Sequence, residues 1–359
     1  MSSTQAANEL GTNGSWPGVP DVEAAFQPAA SRCSISEQSV RVGGHRILLR
    51  FAGPGLVSCV APAFAHLADE PVSVPELVVN VWDSSSTGVP APPLPAVDPS
   101  SPPGAFFFFE DPPARGVFQP GMEALSLVDL GSDRAWYWVR DPASLPYWER
   151  AAPIRQILHW WMATRGHQQV HGGAVGTPDG GVLLVGKGGS GKSTCSLASL
   201  TSSLRYAGDD YTMVSLAPRP WVHSLYSSGK VHPDNLERVP HLETAVWNAR
   251  HLDTEKAVVF VDQHFPDRPI DGFPLRAIVL PTITGGKNTR AVPTSQAAAL
   301  AALAPSTVFQ LHTAGREALH YMARLVREVP AFTLELGDDV SQIPDTILAL
   351  LDELGESAA

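Results

Sequence analysis

The sequence predicts an α/β protein, α+β overall, in two parts. A small strand-rich N-terminal domain occupies residues 33–140, and a larger domain over 145–355 is built around a glycine-rich loop at Gly186–Thr194. Three observations predict it. Between Ser39 and Val139 short apolar runs alternate with polar residues and are punctuated by Gly, Pro and Asp, the period of half-buried strands. From Gly166 to Leu216 strand-like runs surround the loop and one helical stretch. In the last third, Ala297–Leu303, Ala314–Val326 and Ile343–Leu354 carry the pattern of covering helices.

Composition bounds the function. At 359 residues and 44% apolar content the chain can bury a sizeable core. The formal charge of −11 is spread along the chain, which argues against nucleic acid or an anionic membrane surface as partner, so an anionic ligand must be held by a local site. Cys33, Cys59 and Cys195 form no CxxC or Cys/His arrangement, so neither a disulfide framework nor a structural zinc is expected, and a reducing cytoplasm fits best. Residues 1–32 lack a signal peptide's basic start and apolar run and are expected to form a flexible leader, although Trp16 and Phe26 could dock.

Along the chain, Ser39–Phe51 predicts a hairpin about Gly43-Gly44, and Leu77–Trp82 another strand. Seven prolines in Ser84–Gly104 exclude sheet interior or helix and mark a loop. Phe106–Phe109 reads as a buried strand, and Leu125–Leu130 with Ala135–Val139 as a second hairpin about Gly131-Ser132-Asp133. No chemistry is legible in 33–140; exposed strand edges suggest a partner- or peptide-docking role. Leu145–Arg165 predicts one amphipathic helix, through Trp148, Ala151, Ile154, Leu158, Trp161 and Met162. Gln168–Val175 reads as a strand, Thr177–Gly180 as a turn and Gly181–Val185 as a second strand.

The loop that follows carries the chemistry. Gly186, Lys187, Gly188, Gly189, Ser190, Gly191, Lys192, Ser193 and Thr194 satisfy G-x-x-x-x-G-K-S/T, with a strand before and a helix, Cys195–Leu200, after. Glycines let successive backbone N–H groups turn inward as an anion nest, and the helix N-terminus adds its positive dipole end. Lys192 would reach the β- and γ-phosphates of a nucleoside triphosphate, and the Ser193 hydroxyl would ligate Mg²⁺. Seventeen residues beyond Lys192, a short strand ends in Asp209-Asp210, where one carboxylate can hold the metal while the other accepts a proton from an attacking hydroxyl. His171 stands twenty-one residues before Lys192, at a strand edge.

Histidine, strand, turn, strand, P-loop, helix, then a strand ending in Asp-Asp resembles the catalytic domain of the HPr kinase/phosphorylase-like serine kinases over about residues 168–216. The resemblance implies a fold related to phosphoenolpyruvate carboxykinase, with a mixed sheet around the loop. It implies ATP and Mg²⁺ as cofactors, Asp209 as general base with His171 interacting with it, Lys192 on the phosphates, and Asp210 with Ser193 on the metal. The Glu-Val-Arg-Gly stretch of true HPr kinases is absent. Tyr226–Lys230, Leu275–Leu280 and Val329–Leu334 instead resemble relatives found beside biosynthetic enzymes. The acceptor implied is a serine or threonine hydroxyl of a peptide or carrier protein, or a small-molecule hydroxyl. The family often assembles into homo-oligomers.

Other candidates rank lower. Lys230 reads as a solvated loop residue, with contact to phosphate or acceptor as its alternative; Lys287 and Arg290 read as a solvent-facing loop. Arg276 is either a sheet-edge charge or a transition-state stabiliser. His232, His241, His251 and His264 form no ligand cluster, so a zinc enzyme is not expected. Two rival functions stand beside the kinase: a reversible kinase/phosphorylase, and a sensor or scaffold that binds ATP without turnover.

Overall fold

In the computed structural model residues 16–71, 74–97, 102, 104–311, 313 and 315–356 are described. The chain packs as two units. The first comprises the chain up to Pro62 with Leu67–Trp161, and the second Ala63–His66 with Met162 onward, a boundary later than the 140–145 expected from sequence.

The first unit is a seven-stranded mixed sheet. Its strands are β1 (Ile35–Val42), β2 (His45–Ala52), β3 (Leu77–Asp83), β4 (Phe107–Asp111), β5 (Ala114–Gln119), β6 (Ala124–Asp129) and β7 (Arg134–Val139), in the order β1-β2-β3-β7-β6-β5-β4. Both expected hairpins form. Val42 pairs with His45 across Gly43-Gly44, whose positive φ angles of 56° and 86° close a two-residue turn that few other residues could make.

Helix α1 (Val19–Arg32) corrects the expectation of a flexible leader over 1–32. The Asp21 carboxylate accepts from the Gly18 N–H at 2.9 Å, Pro20 presets the first turn, and Val22, Phe26 and Ala29 at i, i+4 and i+7 are buried against Trp82, Trp136 and Trp138. Burial of Phe26 alone is worth about 2 kcal/mol. Residues 1–15 lie outside the described part.

The helix expected over 145–165 is two: α2 (Tyr147–Ala151) and α3 (Arg155–Ala163). Pro153 cannot donate to the helical ladder, and Ile154 after it turns at a φ of 49°.

The second unit is a nine-stranded mixed α/β sheet. Its strands are β8 (His167–Val170), β9 (Gly173–Thr177), β10 (Gly180–Leu184), β11 (Arg205–Gly208), β12 (Thr212–Ser215), β13 (Trp221–His223), β16 (Gly272–Gly286), β17 (Arg290–Thr294) and β18 (Ala331–Gly337). They run β11-β9-β10-β16-β13-β12-β8, with β18 joining β16 to β17; β14 (Ser228–Val231) and β15 (Ala257–Phe260) form a separate ribbon. The strand expected over 168–175 divides at His171-Gly172, since β8 pairs with β12 while β9 pairs with β10 and β11. Helix α4 (Lys192–Ala198) follows the loop, and α5 (Gln296–Gln310), α6 (Gly315–Glu328) and α7 (Gln342–Glu356) complete the unit. The buried faces of β10, β16 and β18 meet Cys195 of α4 and Ile343, Ile347 and Leu350 of α7 in one apolar cluster. None of the described helices is long and apolar enough to cross a membrane.

Candidate active site

The topology brings the separate motifs to one rim. Strand β9 is antiparallel to both β10 and β11, with Gly173 opposite Leu184 and Ala174 opposite Gly208. The start of β9 and the ends of β10 and β11 therefore coincide. His171, the P-loop and Asp209-Asp210, far apart in sequence, leave the sheet at the same edge. Gly173 is required there: a Cβ would stand 2.3 Å from the Ser196 hydroxyl of α4 and 3.0 Å from the Asp209 carbonyl.

The loop has the backbone its glycines suggest. Gly189 and Gly191 take φ angles of 79° and 105°, and Gly191 is the N-cap of α4. The Lys192 ammonium reaches back across the loop, donating to the Gly186 carbonyl at 2.7 Å and the Lys187 carbonyl at 3.2 Å. Burial lowers its pKa, and the carboxylates of Asp209 and Asp210 oppose that fall. Gly188 has open space where a side chain would be, and the Ser190 hydroxyl is buried without a hydrogen-bond partner beside Gly186. Thr194 is buried in the first turn of α4.

The adjacent carboxylates have opposite environments. Asp209 is 1% exposed; one oxygen, Oδ2, accepts the Lys230 backbone N–H at 2.9 Å, while Oδ1 is buried without a partner. Burial pushes its pKa up to about 6, reinforced by the Asp210 charge and offset by the Lys230 N–H and the nearby Ser193 hydroxyl. The Asp210 side chain, 26% exposed, accepts from His171 Nε2 at 3.1 Å and is ion-paired with the Lys230 ammonium. Burial alone would raise it, but Lys230 and His171 together hold it well below the usual carboxylate range.

Two expectations change here. His171 contacts Asp210, not Asp209, because its backbone N–H is fixed by the Thr307 hydroxyl of α5 at 3.1 Å and its ring then faces the second carboxylate. Lys230 is no solvated loop residue. It sits in β14, its side chain 11% exposed, with the ammonium 5.9 Å from the centre of the Tyr211 ring. The sequence signal available was the rarity of lysine, but the contact depends on the β14–β15 ribbon, which periodicity did not reveal. Tyr211 in turn donates its hydroxyl to Gln310 at 3.1 Å, so the last turns of α5 brace both residues that flank Asp210.

Other candidates fall elsewhere. Arg276 donates to the Asp179 carbonyl at 3.1 Å, beside the turn at the start of β10 and thus at the end of that strand away from the loop, which removes the transition-state reading; the sheet-edge reading fails as well, because β16 lies inside the sheet between β10 and β13. Arg290 pairs with Glu335 on the neighbouring strand. Lys287 is exposed in the turn between β16 and β17. No cluster of three or more His, Cys, Asp or Glu side chains able to hold a metal ion occurs among the described residues.

The acidic pair nevertheless suits a hard cation held partly by a ligand's phosphates. Mg²⁺ takes one or two protein oxygens and completes its shell with phosphate and water. The buried Asp209 carboxylate, with the Ser193 hydroxyl beside it, supplies that donor set.

No family model matches the chain, and no curated protein matches it. Among solved structures it is similar to the Hpr(Ser) kinase/phosphatase from Coxiella burnetii, with 11% sequence identity and a TM-score of 0.32, over 53% of this chain and 94% of that one. At that level the similarity assigns no residue a role.

Proposed function

We propose that the second unit is a phosphotransferase that moves the terminal phosphoryl group of a nucleoside triphosphate, ATP by preference, to a hydroxyl acceptor. The observation that carries this reading is the meeting of the P-loop, Ser193 and a split acidic pair at one sheet edge, with one carboxylate buried against the loop and the other open. Pure nucleotide binding needs the loop and a metal ligand; it gives no reason for a second, partly exposed carboxylate held by histidine and lysine.

The loop amides of Gly186–Gly191 and the start of α4 would bind the phosphates, with Lys192 exchanging its loop carbonyls for phosphate oxygens. Asp209 Oδ1 and Ser193 would hold Mg²⁺, which supplies neutralisation of the β,γ-oxygens when bound. Asp210 then takes the acceptor side, exchanging the roles that the family resemblance gave the two aspartates. The acceptor oxygen bonds to the γ-phosphorus, the bond to the leaving diphosphate breaks, and the hydroxyl proton passes to Asp210. A carboxylate with a depressed pKa is a weak base, but in a loose transition state it first aligns the hydroxyl and takes the proton late. His171 orients Asp210.

The acceptor class remains the serine or threonine hydroxyl of a peptide or carrier protein, or a small-molecule hydroxyl. Incubating the protein with γ-labelled ATP and such acceptors tests the reading. Transfer that survives in Asp209→Asn but not in Asp210→Asn at saturating Mg²⁺ supports the exchanged roles. Label that stays in ATP with every acceptor, while ATP binds normally, supports the sensor instead.

A further inference from the structure

Strand β16 is fifteen residues long, and β10 flanks only its middle. Leu184, the last residue of β10, pairs with Val279, and the Val185 N–H donates to the Val279 carbonyl at 2.9 Å. The chain then turns into the P-loop, while β16 runs on beside β18, with Pro281 opposite Leu334 and Ile283 opposite Leu336. Two residues past Val279 and facing the same way, Pro281 lacks the N–H that a longer β10 would need, so pairing stops where the loop begins.

The overhanging part of β16 lies along one side of the loop. A Cβ at Gly191 would stand 2.6 Å from Leu336 Cδ1 and 3.7 Å from Pro281 Cβ, so both of those side chains face the loop. Side chains alternate along a strand, and Ile283 therefore shares the face of Pro281, about 7 Å further out. Leu336 is 6% exposed and Ile283 59%. The three make an apolar ledge that starts against Gly191 and ends in solvent, beside a site otherwise built of amides, hydroxyls and charges.

The direction of the phosphate chain decides what reaches the ledge. The strand order β11-β9-β10-β16 puts the acidic pair at the end of β11 and the ledge on β16 on opposite flanks of β10. With Asp209 and Ser193 on the metal, the β- and γ-phosphates would lie towards the first flank. The α-phosphate and its nucleoside then leave the loop towards the second.

We propose that Pro281, Leu336 and Ile283 form the nucleoside subsite, with the heterocyclic base of the nucleotide lying on Ile283. The inference rests on the nucleotide-binding reading above and adds what the P-loop cannot supply: an apolar surface that favours a nucleoside triphosphate over an inorganic polyphosphate.

Calorimetric titration of the full chain with MgATP and with magnesium tripolyphosphate, for the wild type, Ile283→Ala and Ile283→Met, tests it. Loss of the apolar contact should weaken MgATP about tenfold in the alanine variant, leave tripolyphosphate within about twofold, and be largely restored by methionine. Unchanged tripolyphosphate affinity also certifies that the alanine variant is folded with its loop intact. Equal weakening of both ligands, or no change in either, overturns the subsite while leaving the P-loop reading in place. A wild type that binds neither ligand removes the P-loop reading and this inference together.

Discussion

Replacing Asp209 by asparagine should stabilise the protein in the absence of metal and nucleotide. The carboxyl is 1% exposed, its pKa is raised from 3.8 to about 6, and its Oδ1 has no partner. A rise of about 2 pKa units at 1.36 kcal/mol each makes the ionised form cost the fold about 3 kcal/mol. The sign follows from the direction: a raised carboxyl pKa destabilises where the group is ionised. The cost is absent below the unfolded value of 3.8, grows through the window from 3.8 to about 6, and is complete above it. Asparagine keeps an oxygen for the Lys230 N–H but buries an unpaired NH₂ where Oδ1 stood, which returns about 1 kcal/mol. The net gain at pH 8 is then about 2 kcal/mol, or about 4–8 °C in Tm for a unit of this size, and it should shrink towards pH 4. Calorimetric unfolding of both proteins from pH 4 to pH 8 in chelator measures it. A variant less stable than the wild type by the same amount at every pH would refute the argument, since a penalty that does not titrate is not electrostatic.

Further outcomes follow from the same geometry. Below about pH 6, protonation of Asp209 competes with metal, so Mn²⁺ or Mg²⁺ affinity measured with nucleotide present should fall by up to tenfold per pH unit, and Asp209→Asn should weaken the affinity to a level that higher metal concentration still saturates and remove its pH dependence. Asp210→Asn should leave MgATP affinity within about threefold while lowering acceptor turnover by about 10²–10⁴, read as a loss in kcat. Lys192→Ala should weaken ATP by about 2–4 kcal/mol in a calorimetric titration, because its ammonium is aimed across the loop that would cradle the phosphates. Gly173→Ala should destabilise by about 1–3 kcal/mol in urea, since the added methyl meets the Ser196 hydroxyl and the Asp209 carbonyl; Ser196→Ala in the same chain should restore part of the loss.

The P-loop was legible because its chemistry is local: nine consecutive residues specify a turn, a nest and a helix start. The hairpins of the first unit were legible because alternation and Gly43-Gly44 act over a few residues. Helix α1 was not, since its three buried side chains are diluted by alanines and interrupted by Pro28, so its helicity comes from packing on tryptophans far along the chain. The orientation of His171 was equally hidden. Spacing placed it at the correct rim, but the choice between two adjacent carboxylates depends on Thr307, 136 residues away. The contact of Lys230 is hidden for the same reason, as nothing in Ser227–Val231 announces the ribbon that turns a lysine in a Ser/Gly run towards Asp210.

The parallel neighbour that flanks β10 is β16, which begins at Gly272, well after the P-loop ends at Thr194, and itself rests on β18, later still. A nascent polypeptide that has extruded only its signature motif has β9 beside β10 but no opposite wall for the loop to lean on. The wall that the loop leans on is therefore completed only after β16 and β18 have been synthesised, however early the motif itself emerges from the ribosome.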